Sequence, residues 1–519
     1  MEPADGRGAD DEHPGAGDLP VLAAVLPQRH HGRGGEVTGP EAATAGEAAP
    51  RSGASGTSAP NIVLVHVDDL GWTDLGCYGS SFYETPRVDA LAEESCQLFN
   101  AYAASPVCSP SRAALMTGRV PARVGITQWI GGTGVGALLD VPYHHALPVS
   151  EYALPRALRD GGYATWHVGK WHLGTGAHDP LAHGFEVNIA GGHIGSPRTY
   201  FAPWGIDHLP EAEPGTYLTD ALTDHAIDLV RSHDGERPFF LHLAHYAVHT
   251  PLEAPPELVE KYEHKARKRG LTPESGLEEG EAHTKWGRRD ERILRRTVQS
   301  HPTYAAMVEN LDTNVGRLLD ALEEQGVLDE TLIVFTSDNG GLVTSEGSPT
   351  SCAPLTEGKG WTEEGGVRVP LIIRLPGGER AGTEPDVLAY GPDLYPTLLE
   401  AAGLPPIPRQ HVDGTSLLPW LSDPEHPADR GPLVWHYPHY SNQGGRPSAA
   451  VRHGRFKLIR FFEDEHCELY DLEADIGEQH DLAAAEPAVV QQLRRELDEH
   501  LADAHALIPQ RNPWPEPFA

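Results

Sequence analysis

Three features of this 519-residue chain predict an α/β architecture: a large mixed, mostly parallel sheet flanked by helices, with a smaller C-terminal α+β unit of antiparallel strands. First, two short apolar runs, NIVLVHV and TLIVFTS, end in polar pairs, Asp68 with Asp69 and Asp338 with Asn339. Apolar, β-branched runs of this length suit strands buried on both faces. Second, such runs alternate with segments of helical period, the pattern of a parallel sheet covered by helices. Third, from about residue 430 the pattern changes to short alternating strands, AAVRHGRFKLIRFF and then CELYDLEADIGEQHDLA.

Residues 1–57 are Gly, Ala, Pro and charge without periodicity, and are expected to form a disordered tail. The first strand is expected at 62–67, which puts Asp68 and Asp69 at its C-terminal end. That edge is where open α/β sheets bind ligands. GYATWHVG reads as another strand, and PFFLHLAHYAVHTP (238–251) as a strand running into a His-rich loop. Residues 303–326 space Met307, Leu311, Val315, Leu318 and Leu322 along one helical face and stop at Gly326. Residues 256–300 are highly charged and read as a solvated helix or long insertion in preference to a lid. A helix over 486–504 closes the chain. The expected organisation is a tail at 1–57, a catalytic α/β domain at 58–428 and an antiparallel sheet with a helix at 429–519.

Forty basic against 75 acidic residues give a formal charge of -35. That balance opposes binding to nucleic acid or to an anionic membrane, and an anionic substrate would need positive charge concentrated locally. The five cysteines are too few and too scattered for a disulfide framework, and none forms a CxxC pair of the zinc type. No apolar run approaches a membrane span. The patch at 19–27 is bracketed by prolines and preceded by acidic residues, so it fails as a secretory signal. A cytoplasmic location is expected, with a periplasmic or secreted one only if the start site is misassigned.

Asp68, Asp69, Asp338 and Asn339 offer three carboxylates and an amide oxygen from two strand ends. An all-oxygen set suits a hard cation, Ca²⁺ first and Mg²⁺ next, and disfavours zinc. Lys170 and His172 follow a third strand, and His249 and Lys359 sit in loops, HTPL and EGKGW. Taken singly, these residues are ordinary. Cys108 is not: it stands between two proline-punctuated turns in ASPVCSPSRAALMTGR, at the entrance to a run of helix formers.

CSPSR at 108–112 followed by LMTGR at 115–119 resembles the signature of the type I sulfatases of the alkaline-phosphatase superfamily. The likeness continues in family order through NIVLVHVDDLGW, GYATWHVGKWHLG, PFFLHLAHYAVHTPL, TSDNGG and EGKGWTEEGGVRVPLIIR. It implies hydrolysis of sulfate monoesters of an aryl or carbohydrate alcohol. It further implies that a formylglycine-generating enzyme oxidises Cys108 to formylglycine. One hydroxyl of the hydrated aldehyde would attack sulfur and the other would expel sulfate. A plain thiolate would leave an adduct that water clears poorly.

By the same resemblance, Asp68, Asp69, Asp338, Asn339 and the modified Cys108 hold the metal, and Arg112, Lys170 and Lys359 supply local positive charge. His249 is the candidate acid for the leaving alcohol or a sulfate ligand, and His172 the partner of the diol. Ser111 is the signature residue read during maturation. His66 departs from the apolar residue usual there and is expected to be packed or hydrogen-bonded. Glu363 is an unusual carboxylate near Lys359 that could reshape substrate preference. Residues 188–205 read as a loop over a sugar or aryl ring, or equally as plain surface. The alternatives are a phosphonate or phosphate ester hydrolase on the same scaffold, and a non-catalytic homologue with unmodified Cys108.

Overall fold

The computed structural model describes residues 59–423, 426–427 and 430–514; the expected tail and the expected boundary at 428/429 lie outside them. A seven-stranded sheet organises the molecule. Its strands are β1 (Asn61–Val67), β2 (Cys96–Leu98), β3 (Ala164–Gly169), β4 (Val187–Ile189), β5 (Phe239–Ala244), β6 (Thr331–Ser337) and β7 (Leu371–Arg374), in the spatial order β2-β7-β6-β1-β5-β3-β4. β1 runs parallel to both β5 and β6, and β3 runs parallel to β5 and β4; β7 is antiparallel to its neighbours.

Every residue of β1 is buried, as its continuous apolar run requires. Val63, Val65 and Val67 face a core built with helices α2 (Leu218–Ser232) and α4 (Pro302–Glu324). Ile62 and Leu64 face the opposite core, which receives Ala113, Leu115 and Met116 of α1 (Cys108–Thr117). The predicted stripe of α4, Met307 through Leu322, is buried along its length. Among the described residues no helix is long and apolar enough to cross a membrane.

The C-terminal unit is an antiparallel sheet of β8 (Leu433–Tyr437), β9 (Ser448–His453), β10 (Phe456–Phe461) and β11 (Cys467–Asp471), paired in that order. Alternation decides its two faces. Val434, Ala449, Val451, Leu458 and Leu469 pack on Leu493, Leu497 and Leu501 of α5 (Pro487–Asp503). Trp435, Ala450, Ile459 and Phe461 pack on Tyr102, Ala114 and Val367. The second face therefore lies against the large sheet's side of the molecule.

The charged segment 256–300 forms helix α3 (Pro256–Lys268) and then a two-stranded ribbon, Leu277–Ala282 against Arg292–Arg296. The helix is charged outside but is anchored in the main core by Tyr262 and Ala266.

Register sets the site. Val67 lies opposite Ser337, His66 opposite Ala244, and Ala244 opposite Gly169. Four central strands thus finish level, and the residues that follow them emerge at one edge. Just beneath, the buried rings of His66, His242 and His167 form a chain across β1, β5 and β3. His66 Nδ1 is 3.2 Å from His242 Nε2, His242 Nδ1 is 3.0 Å from His167 Nδ1, and His167 Nε2 is 3.0 Å from the Gly169 carbonyl. One set of neutral tautomers satisfies the chain: each ring donates once towards Gly169. His66 is packed and hydrogen-bonded, as expected. Burial holds His66 and His167 down to about 3 and His242 well below the usual imidazole value.

The unfolded chain takes up protons at these rings below about pH 6.5 while the folded chain does not, so their stabilising contribution is complete above that pH and lost below it. The stability advantage of the wild type over His242→Gln, from urea unfolding, is expected to shrink by about 1.4 kcal/mol per pH unit between pH 6.5 and 4.5. An advantage independent of pH would show that the ring is already charged.

Candidate active site

Cys108 is the first residue of α1, a helix whose ten residues are all buried and which ends at Gly118. Ser111 closes the entry loop: its hydroxyl donates to the Ser105 carbonyl at 2.8 Å and accepts from the Ser105 amide at 3.0 Å. In the folded chain Ser111 is thus a brace for the loop before Cys108. One turn on, Arg112 reaches back under the strand ends. Its Nε donates to Asp338 Oδ2 at 2.8 Å and its Nη1 to the Lys170 carbonyl at 2.9 Å.

The other two cations are paired in the same way. Lys170 Nζ lies 2.6 Å from Asp68 Oδ2, and Lys359 Nζ lies 2.7 Å from Asp69 Oδ2. Lys359 is carried between two loops, its amide donating to the Gly341 carbonyl and the next amide, of Gly360, to the Pro106 carbonyl. Asn339 Nδ2 donates to Asp69 Oδ1 at 2.8 Å, and the Asp69 amide donates to Asp338 Oδ1 at 3.3 Å. The structure therefore brings Asp68, Asp69, Cys108, Arg112, Lys170, Asp338, Asn339 and Lys359 into one buried cluster.

Two oxygens of this cluster, Asp68 Oδ1 and Asn339 Oδ1, are buried without a hydrogen-bond partner. Buried polar atoms are normally satisfied, so the pair calls for a group the protein chain does not itself supply. Oxygen donors suit a hard cation. Ligand atoms of Asp68, Asp69, Cys108 and His249 all lie within 4.8 Å of one another. His249 was not expected in that group. Its Nε2 is 3.5 Å from Asp69 Oδ2 but accepts from Lys359 Nζ at 2.8 Å, while its Nδ1 donates to the Thr250 carbonyl at 2.8 Å. The nitrogen nearest the carboxylates is thus already engaged, and the free donors are oxygens.

Burial acts to raise Asp68, with Asp338 and Asp69 adding to the rise, and the Lys170 ammonium 2.6 Å away opposes it. Burial also acts on Asp338, where Arg112 outweighs it and holds the carboxyl low. Burial pushes the Cys108 thiol up to about 12. A thiol so placed stays protonated at neutral pH and is a poor nucleophile. Burial, helped by Lys359, holds His249 down to about 3, and His172 is likewise kept neutral.

His172 sits in the left-handed region, φ 55°, as does Asp69 at 58°. Non-glycine residues persist there only where their surroundings hold them, and they cluster at functional sites. The His172 amide donates to the Gly192 carbonyl, which draws the loop at 188–205 over the site. A Cβ on Gly195 would stand 2.5 Å from His172 Cε1, so only glycine fits against the ring. Gly169 is required for a second reason: φ is 108° and a Cβ would meet the Ala244 carbonyl oxygen at 1.9 Å.

A cavity of about 380 Å³ opens above Cys108. His172, His249 and Lys359 line it, with His193 to Ser196; Trp129, Ile130, Glu346, Asn442 and Gln443 complete the lining. Tyr200 and Trp204 are in the core: the Tyr200 hydroxyl donates to the Tyr246 and His249 carbonyls and so props the turn that carries His249. Glu363 does not line the cavity. Its carboxyl is buried near Glu357 and Glu478 and is raised to about 8, so the expectation that it tunes substrate preference beside Lys359 fails.

The Sulfatase family model matches residues 60–404, which contain every one of these strand-end residues. This chain belongs to the sulfatase family. A second model, N-sulphoglucosamine sulphohydrolase, C-terminal, matches residues 358–506. Human N-acetylgalactosamine-6-sulfatase is 33% identical over 71% of this chain, which spans 67% of that protein. A sulfatase of Formosa agariphila is 31% identical over 83% of this chain and 85% of its own length. The solved structure of Ps i-CgsB in complex with k-i-k-neocarrahexaose superposes with a TM-score of 0.67 at 30% identity, covering 89% of this chain and 96% of that one. The protein is a sulfuric ester hydrolase with the fold of that family, whose members generally use a metal ion and formylglycine.

Five wall residues of this sulfatase, Ile130 among them, were not found from sequence. Trp129, in GITQWIGG, carried only a weak signal, an aromatic beside two glycines. Glu346, Asn442 and Gln443 carried none, because the turn and the C-terminal unit that present them fold back from far along the chain.

Gly195→Ala is expected to preserve the melting temperature within a few degrees and to lower kcat/KM on 4-nitrophenyl sulfate by about 10²-fold, the usual cost of displacing a reacting group by about 1 Å. Unchanged kinetics would show that His172 has room to move.

Proposed function

We propose that this sulfatase removes sulfate from a sugar hydroxyl, with Cys108 matured to formylglycine by a formylglycine-generating enzyme and with Ca²⁺, or Mg²⁺ in its place, bound at the strand ends. One observation carries the reading: the residue at the floor of the cavity is a cysteine whose thiol burial keeps protonated, surrounded by three lysine and arginine side chains and two unpartnered carboxylate and amide oxygens. Burial disfavours a thiolate at this position, and formylglycine would supply in its place a hydrated aldehyde whose hydroxyl attacks sulfur.

Asp68, Asp69, Asp338 and Asn339 would hold the cation, which supplies charge stabilisation at a sulfate oxygen. Three carboxylates are already matched by Arg112, Lys170 and Lys359, so a divalent ion leaves the site with a surplus of positive charge for a monoanionic ester. The strongly acidic chain reaches a local field suited to its substrate in this way.

Arg112 spans Asp338 and the Lys170 carbonyl and fixes the orientation of both. Lys170 neutralises Asp68, and Lys359, at the cavity wall, meets the sulfate. The Lys359 ammonium and His249 Nε2 share a hydrogen bond, so a proton for the leaving alkoxide is available from that pair. His172, neutral and lining the same cavity, has an unpartnered Nδ1 suited to accept the diol proton. A sugar substrate is supported by the cavity volume, which suits one saccharide ring against Trp129, and by relatives that carry sugar sulfates in their names.

Co-expression with a formylglycine-generating enzyme and mass analysis of the peptide holding Cys108 is expected to find the aldehyde. Cys108→Ala should fold normally and lose more than about 10³-fold in kcat on 4-nitrophenyl sulfate. An unmodified thiol in an active preparation, or phenylphosphonate hydrolysed faster than the sulfate, would overturn the reading. Prolonged dialysis against a chelator should abolish turnover and lower the melting temperature, and Ca²⁺ should restore both; full activity in a preparation shown by elemental analysis to be metal-free would remove the cation from the scheme.

A further inference from the structure

The cavity is electrostatically two-sided. Its buried half holds Lys359, with Arg112 and Lys170 behind it; its mouth holds an exposed carboxylate, Glu346. Beside Glu346 is Gln443, which is buried, donates through Nε2 to Glu346 Oε1 at 2.7 Å, and keeps Oε1 buried without a partner. The outer wall therefore presents one acceptor, the Glu346 carboxylate, which Gln443 holds by one oxygen, while the Gln443 amide oxygen is itself packed against Gly360.

Glu346 is also held with unusual care for an exposed side chain. Ser345, Glu346 and Ser348 have φ of 58°, 48° and 42°, three non-glycine residues in the left-handed region within one turn. Such a turn costs free energy and persists only when neighbours fix it. Those neighbours come from the ribbon. The Ser345 amide and the Ser348 hydroxyl both donate to the Leu294 carbonyl, at 3.3 and 2.9 Å, Arg296 Nε donates to the Ser348 carbonyl, and the Ser345 hydroxyl pairs with His283 Nε2 at 3.2 Å. The same ribbon grips the other wall residue: Lys285 Nζ donates to Asn442 Oδ1 at 2.7 Å, and Arg288 to the Asn442 carbonyl.

From this placement we infer that Glu346 is a specificity-determining residue, selecting sulfate esters that place a hydroxyl or a cationic amine at the cavity mouth, across the ring from the scissile group, and rejecting those with a second anionic group there, and that the ribbon segment at 277–296 serves to hold it. The inference rests on the sulfatase reading above and narrows it to a substrate class. A second sulfate or a carboxylate beside Glu346 would meet a like charge, while Lys285 and Arg288 on the same wall are already engaged by Asn442; an ammonium or a hydroxyl there would pair with the Glu346 carboxylate. Discrimination by like charge acts against the wrong substrate and leaves the chemistry on the right one alone.

The test uses the matured full-length enzyme and three phenyl sulfates bearing a para aminomethyl, hydroxymethyl or carboxymethyl group. Each probe is read as the ratio of kcat/KM in Glu346→Gln to that in wild type, which cancels the differing leaving groups. The ratio is expected to fall about tenfold for the amine, stay within twofold for the alcohol and rise about tenfold for the carboxylate; tenfold corresponds to about 1.4 kcal/mol. Glu346→Lys should extend the same trend. Ratios that move together for all three probes, or do not move, overturn the assignment. Wild-type enzyme with confirmed formylglycine that hydrolyses none of the probes, nor 4-nitrophenyl sulfate, would sink the underlying sulfatase reading instead.

Discussion

Three carboxylates and three cations are buried together at the C-terminal edge of one sheet, and the rest of the site follows from the need to keep them paired. Arg112 with Asp338, Lys170 with Asp68 and Lys359 with Asp69 are one-to-one contacts of 2.6 to 2.8 Å between side chains almost without solvent exposure. Removing either member of such a pair strands a charge in a poorly polarisable interior, at a cost of about 3–5 kcal/mol. The partners come from widely separated parts of the chain, so the pairs also fix which loops lie next to one another. The same constraint explains why a chain with a formal charge of -35 carries positive side chains at its centre.

The C-terminal unit serves this arrangement as well. Lys457 on β10 lies between Glu364 and Glu478, at 2.9 Å from each, and Glu478 accepts the Glu364 amide. Glu364 in turn meets Arg368 and the Tyr102 hydroxyl. This second buried network pins the segment that begins with Lys359, so a lysine in a loop is held like one on a strand. From the same unit Tyr437 donates to Gln128, next to Trp129, while Asn442 and Gln443 reach the cavity directly. The small sheet is therefore part of the wall of the site as well as a neighbour of it.

Much of this was legible beforehand because the physics involved is local. Continuous apolar runs on β1 and β6 mark strands covered on both faces, and the polar pairs after them mark the ligand edge. The face of α4 could be read from helical spacing. What was misread depended on direction. Glu363 is four residues from Lys359 in sequence, but the backbone enters a short helix there and turns its carboxyl towards the C-terminal network. Tyr200 and Trp204 lie in the segment at 188–205, which read equally as a cover for a ring or as plain surface; both are consumed by the core, and the aromatic at the cavity is Trp129. Composition identifies an aromatic loop; only packing decides which ring is left over.

By itself the sequence determined the layered fold and the polar pairs at its strand ends, since each is written in a contiguous stretch whose periodicity has one good physical solution; the reactive role of Cys108 is what the resemblance of CSPSR and LMTGR to the sulfatase signature implies. Tertiary structure alone decided which charge pairs with which, that His249 is engaged by Lys359, and that a charged ribbon and the far C-terminal unit build the mouth of the cavity. Those contacts join residues far apart in the chain, where no local pattern records the distance between two side chains.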